Sequence, residues 1–95
     1  MLDGRFGKVL SFYKNKNVLV TGHTGFKGSW LCKILLMLEA NVVGISLKPN
    51  EEEISLYNIL NIEREMVSEY IDIRDLEKLK IVFKKYKPEI VFHMA

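Results

Sequence analysis

A short apolar run, Val18-Leu19-Val20-Thr21, leads straight into three glycines spaced three residues apart, Gly22, Gly25 and Gly28, with a helical pattern opening in the same stretch. An unbroken apolar run is the mark of a parallel strand covered on both faces. Passing from such a strand directly into a helix takes a tight turn. Gly22 supplies unusual backbone angles, Gly25 keeps the main chain bare where an anion can approach, and Gly28 lets the helix lie close to the sheet. The amides near Phe26 and Lys27 then point at that anion with the helix dipole behind them. Thr24 adds a hydroxyl, and Lys27 a charge if it turns inward. Three glycines can also make a bare turn; the strand before and the helix after favour a dinucleotide diphosphate instead.

The rest of the chain repeats the alternation. Apolar residues Trp30, Leu31, Ile34, Leu35 and Leu38 recur at helical spacing between Phe26 and Glu39, and Asn41 follows where the helix stops. Val42-Val43-Gly44-Ile45 reads as a second buried strand, and Lys48-Pro49-Asn50 with glutamates 51–53 as a polar break. Residues 55–66 suit a short helix capped by Ser55, and Tyr70-Ile71-Asp72-Ile73 a third strand. Asp75 caps a further helix with Leu76, Leu79, Phe83 and Tyr86 on one face, lysines 84, 85 and 87 at its end and Pro88 closing it. Ile90-Val91-Phe92-His93 is the fourth strand. Strands alternating with helices mean βαβ units, and right-handed crossovers restrict them to a doubly wound parallel α/β sheet of the Rossmann type.

Length and composition narrow the function classes. With 95 residues the chain supports one domain or part of one. We divide it into an amino-terminal extension, residues 1–16, and an incomplete dinucleotide-binding domain, residues 17–95. Charged residues make up 27% and hydrophobic ones 48%, which fits a folded globular chain without a membrane span. The net charge is only +2 and lysines interleave with acids, so no stripe for nucleic acid forms. The single Cys32 excludes an intrachain disulfide and a cysteine-built metal site, and residues 1–16 lack the apolar core of a signal peptide. A cytoplasmic location is expected.

An acid about 20 residues after the turn ordinarily binds the cofactor ribose. Here Ser46 stands in that place and Lys48 follows, which leaves NADP open beside NAD. His23 lies in the turn, where it either meets cofactor or substrate or faces solvent. His93 reads as a hydrogen-bonded core residue, and Trp30 and Cys32 as packing residues. Asp72, at the carboxyl edge of its strand, either meets a ligand or caps the helix that follows.

The stretch Thr21-Gly22-His23-Thr24-Gly25-Phe26-Lys27-Gly28-Ser29-Trp30-Leu31 resembles that of bacterial CDP-glucose 4,6-dehydratases, members of the extended short-chain dehydrogenase/reductase superfamily. Ser46-Leu47, Ser55-Leu56-Tyr57, Asp72-Ile73-Arg74-Asp75 and the run Lys87 to Ala95 extend the likeness, which covers the chain from about Asn17 onward. The resemblance implies strand order 3-2-1-4. It implies diphosphate binding by the glycine turn (Gly22, Thr24, Gly25, Phe26, Lys27, Gly28), with Ser46 beside the ribose. Adenine falls to Asp72 and Ile73, and His93-Met94-Ala95 lines the cofactor through its main chain. It further implies NAD as cofactor, CDP-glucose as substrate, a homo-oligomeric full-length protein and a lyase reaction. In that reaction hydride leaves the sugar 4-position, water is lost across positions 5 and 6, and hydride returns to position 6, giving precursors of deoxysugars for surface polysaccharide such as O-antigen. The Tyr-x-x-x-Lys pair of the family does not occur here: Tyr13, Tyr57, Tyr70 and Tyr86 are followed at the fourth position by Asn17, Asn61, Arg74 and Ile90. No catalytic residue is therefore expected within the 95, and the chain alone should be inactive. The alternatives are a related sugar-nucleotide epimerase and a non-catalytic nucleotide-binding module.

Overall fold

The computed structural model describes residues 4–48 and 56–95. Ser55 as a cap and glutamates 51–53 lie outside them. Helix α1 (Gly4–Tyr13) precedes β1 (Asn17–Thr21), α2 (Phe26–Met37), β2 (Asn41–Ser46), α3 (Leu56–Leu60) with a following 3-10 turn (Ile62–Arg64), β3 (Val67–Tyr70), α4 (Leu76–Tyr86) and β4 (Ile90–His93). The four strands form one parallel sheet in the order β3-β2-β1-β4. Thr21 stands level with Ile45 on one side and His93 on the other, so three strands end together at one edge.

Alternation along the strands divides the core between two faces. Val18, Val20 and Val42 pack with Cys32, Leu35, Tyr57 and Ile62 from α2, α3 and the 3-10 turn. Leu19, Val43 and Ile45 pack on the opposite face with Val82 of α4. The segment before β1 is more than an appendage: Tyr13 of α1 rests against the first cluster, and the amide of Asn15 donates to the Glu39 carbonyl at 2.9 Å.

Three sequence expectations need correction. The third strand runs from Val67 to Tyr70 and not over 70–73. Ser68 and Tyr70 are hydroxyl-bearing and hydrogen-bonded to Tyr57, while Glu69 accepts from Tyr86 at 2.7 Å, so this outer strand carries partnered polar groups that an apolar-run criterion passes over. Ile71 and Ile73, beyond the strand, pack onto the second cluster. Helix α2 meets the sheet through Gly28, Ser29, Cys32 and Leu35. Trp30 and Ile34 turn outward, 46% and 50% exposed, because the close approach selects small residues for the inner face. On α4 the inner residues are Leu79, Val82 and Tyr86, whereas Leu76 and Phe83 are exposed.

The start and stop of α4 follow the sequence. Asp75 accepts a hydrogen bond from the Lys78 amide at 3.2 Å, and Lys87 ends the helix in the left-handed region just before Pro88. Asp75→Ala should lower unfolding stability by about 1 kcal/mol, measured by urea denaturation; a change below about 0.3 kcal/mol would show that solvent caps α4 equally well.

Candidate functional site

The site is built where the strands end. At Gly22 the chain turns with φ +74°, and its amide donates to the Ile45 carbonyl at 2.7 Å, tying the turn to β2. A Cβ at Gly22 would stand 2.8 Å from the Ala95 nitrogen, so both conformation and the passage of Met94-Ala95 overhead require glycine there. Gly28 meets the same turn from the other side: a Cβ on it would collide with the Gly22 carbonyl. Gly25 differs from both. Its backbone is extended, and among the described residues an added Cβ would meet only the Gly22 oxygen, at 3.5 Å. Packing leaves that position free, and its bare main chain faces outward at the N-terminus of α2. Among the described residues no side chain caps the helix, which leaves its first amides open to an anion.

Beside the turn lies a cavity of about 440 Å³ lined by Thr24, Ser46, Leu47, Ile71, Asp72, Ile73, Arg74 and Ala95. Five of the ten positions singled out in the sequence (Thr24, Ser46, Asp72, Ile73 and Ala95) thus share one cavity. Gly22, Gly25, Phe26, Lys27 and Gly28 form the adjoining turn and helix start, with Gly25, Phe26 and Lys27 exposed. Thr24 Oγ1 and Ser46 Oγ are 2.7 Å apart, bridging the turn and the end of β2. Leu47, Ile71 and Arg74 were not singled out; Arg74 was legible only as a neighbour of Asp72.

Asp72 has its own partner. Its carboxylate takes Arg74 Nε at 3.0 and 3.1 Å, Nη2 at 2.6 Å and the Arg74 amide at 2.9 Å. These bonds from Arg74 hold the carboxyl near pKa 2, so it is ionised throughout the physiological range. It does not cap α4, which is the task of Asp75.

His23 goes where neither sequence expectation put it. The ring is fully buried, turned away from the cavity and laid against Gly44 of β2, where any Cβ would collide with it. Nε2 hydrogen-bonds Ser68 Oγ at 3.1 Å, Tyr57 meets the ring edge-on and Tyr70 stacks on it, while Nδ1 has no partner of hydrogen-bonding geometry among the described residues. A histidine inside a glycine turn carries no sequence signal of burial; the glycine in the middle of β2 was the only trace. His93 does form the expected hydrogen bond, 2.7 Å from Nδ1 to Thr21 Oγ1, yet its side of β4 is exposed. Cys32 is buried, and burial pushes its thiol up to about 12, leaving an unreactive packing group.

The parallel sheet, its strand order and the glycine turn define the Rossmann-type fold of the extended short-chain dehydrogenases, and known proteins agree. The chain belongs to the GDP-mannose 4,6-dehydratase family, whose sequence model matches residues 19–95. It is 48% identical over 85 residues to the CDP-glucose 4,6-dehydratase of Salmonella typhimurium, covering 90% of this chain and 23% of that enzyme. An epimerase of Methanothermobacter thermautotrophicus superposes with a TM-score of 0.72 at 38% identity, over 93% of this chain and 25% of the other. A UDP-glucose 4-epimerase of Stenotrophomonas maltophila, solved with bound NAD and formylated UDP-arabinopyranose, gives 0.71 at 28% identity, over 85% and 24%. The chain thus spans about a quarter of the length of these proteins.

Burial lowers the His23 pKa from its ordinary 6.5 to about 4, opposed by the Ile45 carbonyl and the Glu63 carboxylate. The unfolded chain therefore takes up this proton between those two values while the folded one does not. Stability should fall as pH drops from 6.5 to 4, by up to about 3 kcal/mol. Asp72 adds a loss only below its ordinary 3.8. Urea unfolding at pH 7 and pH 4.5 should show the decline in the wild type and a flatter response in His23→Asn; equal pH responses would sink the assignment.

Proposed function

We propose that this chain is the amino-terminal, cofactor-binding part of an NAD-dependent sugar-nucleotide 4,6-dehydratase acting on CDP-glucose. The observation that carries the cofactor half is Gly25: its freedom from packing matters only if something approaches the uncapped start of α2. A diphosphate fits there, held by the first amides of α2 with Lys27 at hand. The cavity next to it has the size and lining for an adenosine: an apolar floor of Leu47, Ile71 and Ile73, hydroxyls from Thr24 and Ser46, and the Asp72–Arg74 ion pair in its lining. Ala95 closes the side nearest β4 through its main chain. NAD supplies a hydride acceptor that gives the hydride back within one turnover. The residues described here bind and orient it.

The choice of CDP-glucose rests on the 48% identity to the Salmonella enzyme. An epimerase is the second reading, favoured by the likeness to the two solved epimerases. The acid and base of either reaction belong to the part of such a protein that these residues do not represent. Among the described residues no helix is long and apolar enough to cross a membrane. We place the protein in the cytoplasm, as a homo-oligomer supplying 4-keto-6-deoxysugars for surface polysaccharide.

Two measurements test the reading. The full-length protein should convert CDP-glucose to a 4-keto-6-deoxy product without net formation of NADH; an epimerised CDP-hexose as sole product, or steady NADH accumulation, would overturn the dehydratase assignment. Gly25→Val leaves backbone and packing untouched but fills the anion space. NAD affinity in calorimetry should fall at least about a hundredfold, the worth of one or two charge-assisted hydrogen bonds. Unchanged affinity would reduce Gly25 to a turn residue.

A further inference from the structure

Beneath the glycine turn, hydrogen bonds run in series from the buried ring of His23 to the exposed carboxylate of Glu63, and the far end fixes the direction of them all. An ionised carboxylate only accepts, so the Tyr70 hydroxyl spends its proton on Glu63 at 2.8 Å. A phenol has one proton. The 2.8 Å contact between Tyr57 and Tyr70 is therefore made with the proton of Tyr57, and the 2.9 Å contact between Tyr57 and Ser68 with that of Ser68. Ser68 then has none left for His23. At 3.1 Å from Ser68 Oγ, Nε2 must be the donor, so the neutral imidazole carries its proton there and Nδ1 is bare.

The choice of tautomer reaches the turn through Ile45. Its carbonyl accepts the Gly22 amide at 2.7 Å, and it lies close enough to the imidazole to favour the protonated ring. A bare Nδ1 makes no demand on it. With the proton on Nδ1 instead, the ring would hold a buried donor that no described residue meets in hydrogen-bonding geometry, a cost that drives it toward the Ile45 carbonyl. His23 sits between Gly22 and Thr24, so a ring that moves carries the turn with it.

We propose that Glu63 and Tyr70 are positioning residues of the cofactor turn: they orient the chain of hydroxyls so that His23 is held with its proton on Nε2, which leaves the Ile45 carbonyl to Gly22 and keeps the first amides of α2 set for the diphosphate. The consequence for the cofactor rests on the nicotinamide reading above. The proton positions do not.

The test uses the full-length protein at neutral pH. Magnetic resonance of the His23 ring nitrogens should find the proton on Nε2. Tyr70→Phe keeps the ring that stacks on His23 but removes the acceptor of the Tyr57 proton. Tyr57 then turns to Ser68, Ser68 to Nε2, and the histidine proton moves to Nδ1. The Gly22 amide should exchange with solvent at least about ten times faster and NAD bind about ten times more weakly in calorimetry, each the worth of about one net hydrogen bond. A wild-type proton on Nδ1 overturns the inference. So does a Tyr70→Phe variant that loses stability with the proton still on Nε2, or one in which the proton moves and the Gly22 amide is undisturbed. Failure of the wild type to bind NAD overturns the cofactor reading instead, and the tautomer and amide exchange still decide this one. The wild-type measurement needs no variant to fold.

Discussion

Between the first turn of α2 and the Gly22 carbonyl there is room for a hydrogen atom and nothing larger. That contact, made at Gly28, sets how deep the helix sits, and the rest of the site follows from it. With α2 held this close, Ser29 reaches back to the His23 carbonyl at 2.8 Å and Cys32 and Leu35 seal the sheet beneath. The turn has no freedom left: Gly22 is fixed from below by Ile45, from above by Ala95 and from the side by Gly28. A rigid turn with open amides costs little ordering on meeting an anion, which is what a binding loop requires.

The edge of the sheet divides its polar groups by purpose. On the side of α3, His23, Ser68, Tyr57, Tyr70 and Glu63 form a continuous hydrogen-bonded chain that satisfies hydroxyls buried under the turn. Burial and the bonds to Tyr57 and Glu63 raise the Tyr70 phenol well above its ordinary value. On the cavity side, Thr24 and Ser46 hydrogen-bond each other and Asp72 pairs with Arg74. The first set braces the turn, and the second lines the cavity.

Much of this was legible before the fold was known. Gly22, Gly25 and Gly28, the apolar strands β1, β2 and β4 and the Asp75 cap each carry a local signal strong enough to survive tertiary context. The resemblance added the strand order and drew Thr24, Ser46, Asp72, Ile73 and Ala95 toward one place, where one cavity now holds them. What escaped depends on partners distant in sequence. Strand β3 hides because Ser68, Glu69 and Tyr70 are polar until Tyr57 and Tyr86 arrive. The face of α2 was misjudged because a helix that packs unusually close chooses its inner side by size and not by hydrophobicity. His23 could not be placed because its pocket is made from another strand.

That pocket joins two positions 21 residues apart into one volume. Strand β2 has no side chain of its own at Gly44; the imidazole of His23 fills the gap from the neighbouring loop. Residues 23 and 44 therefore cannot vary independently. A larger residue at 44 is admissible only beside a small one at 23, and a small residue at 23 leaves a void unless 44 grows to fill it. Any recombination of this segment with a related one inherits that exclusion: the loop and the strand must come from the same parent, or the glycine turn loses the floor it stands on.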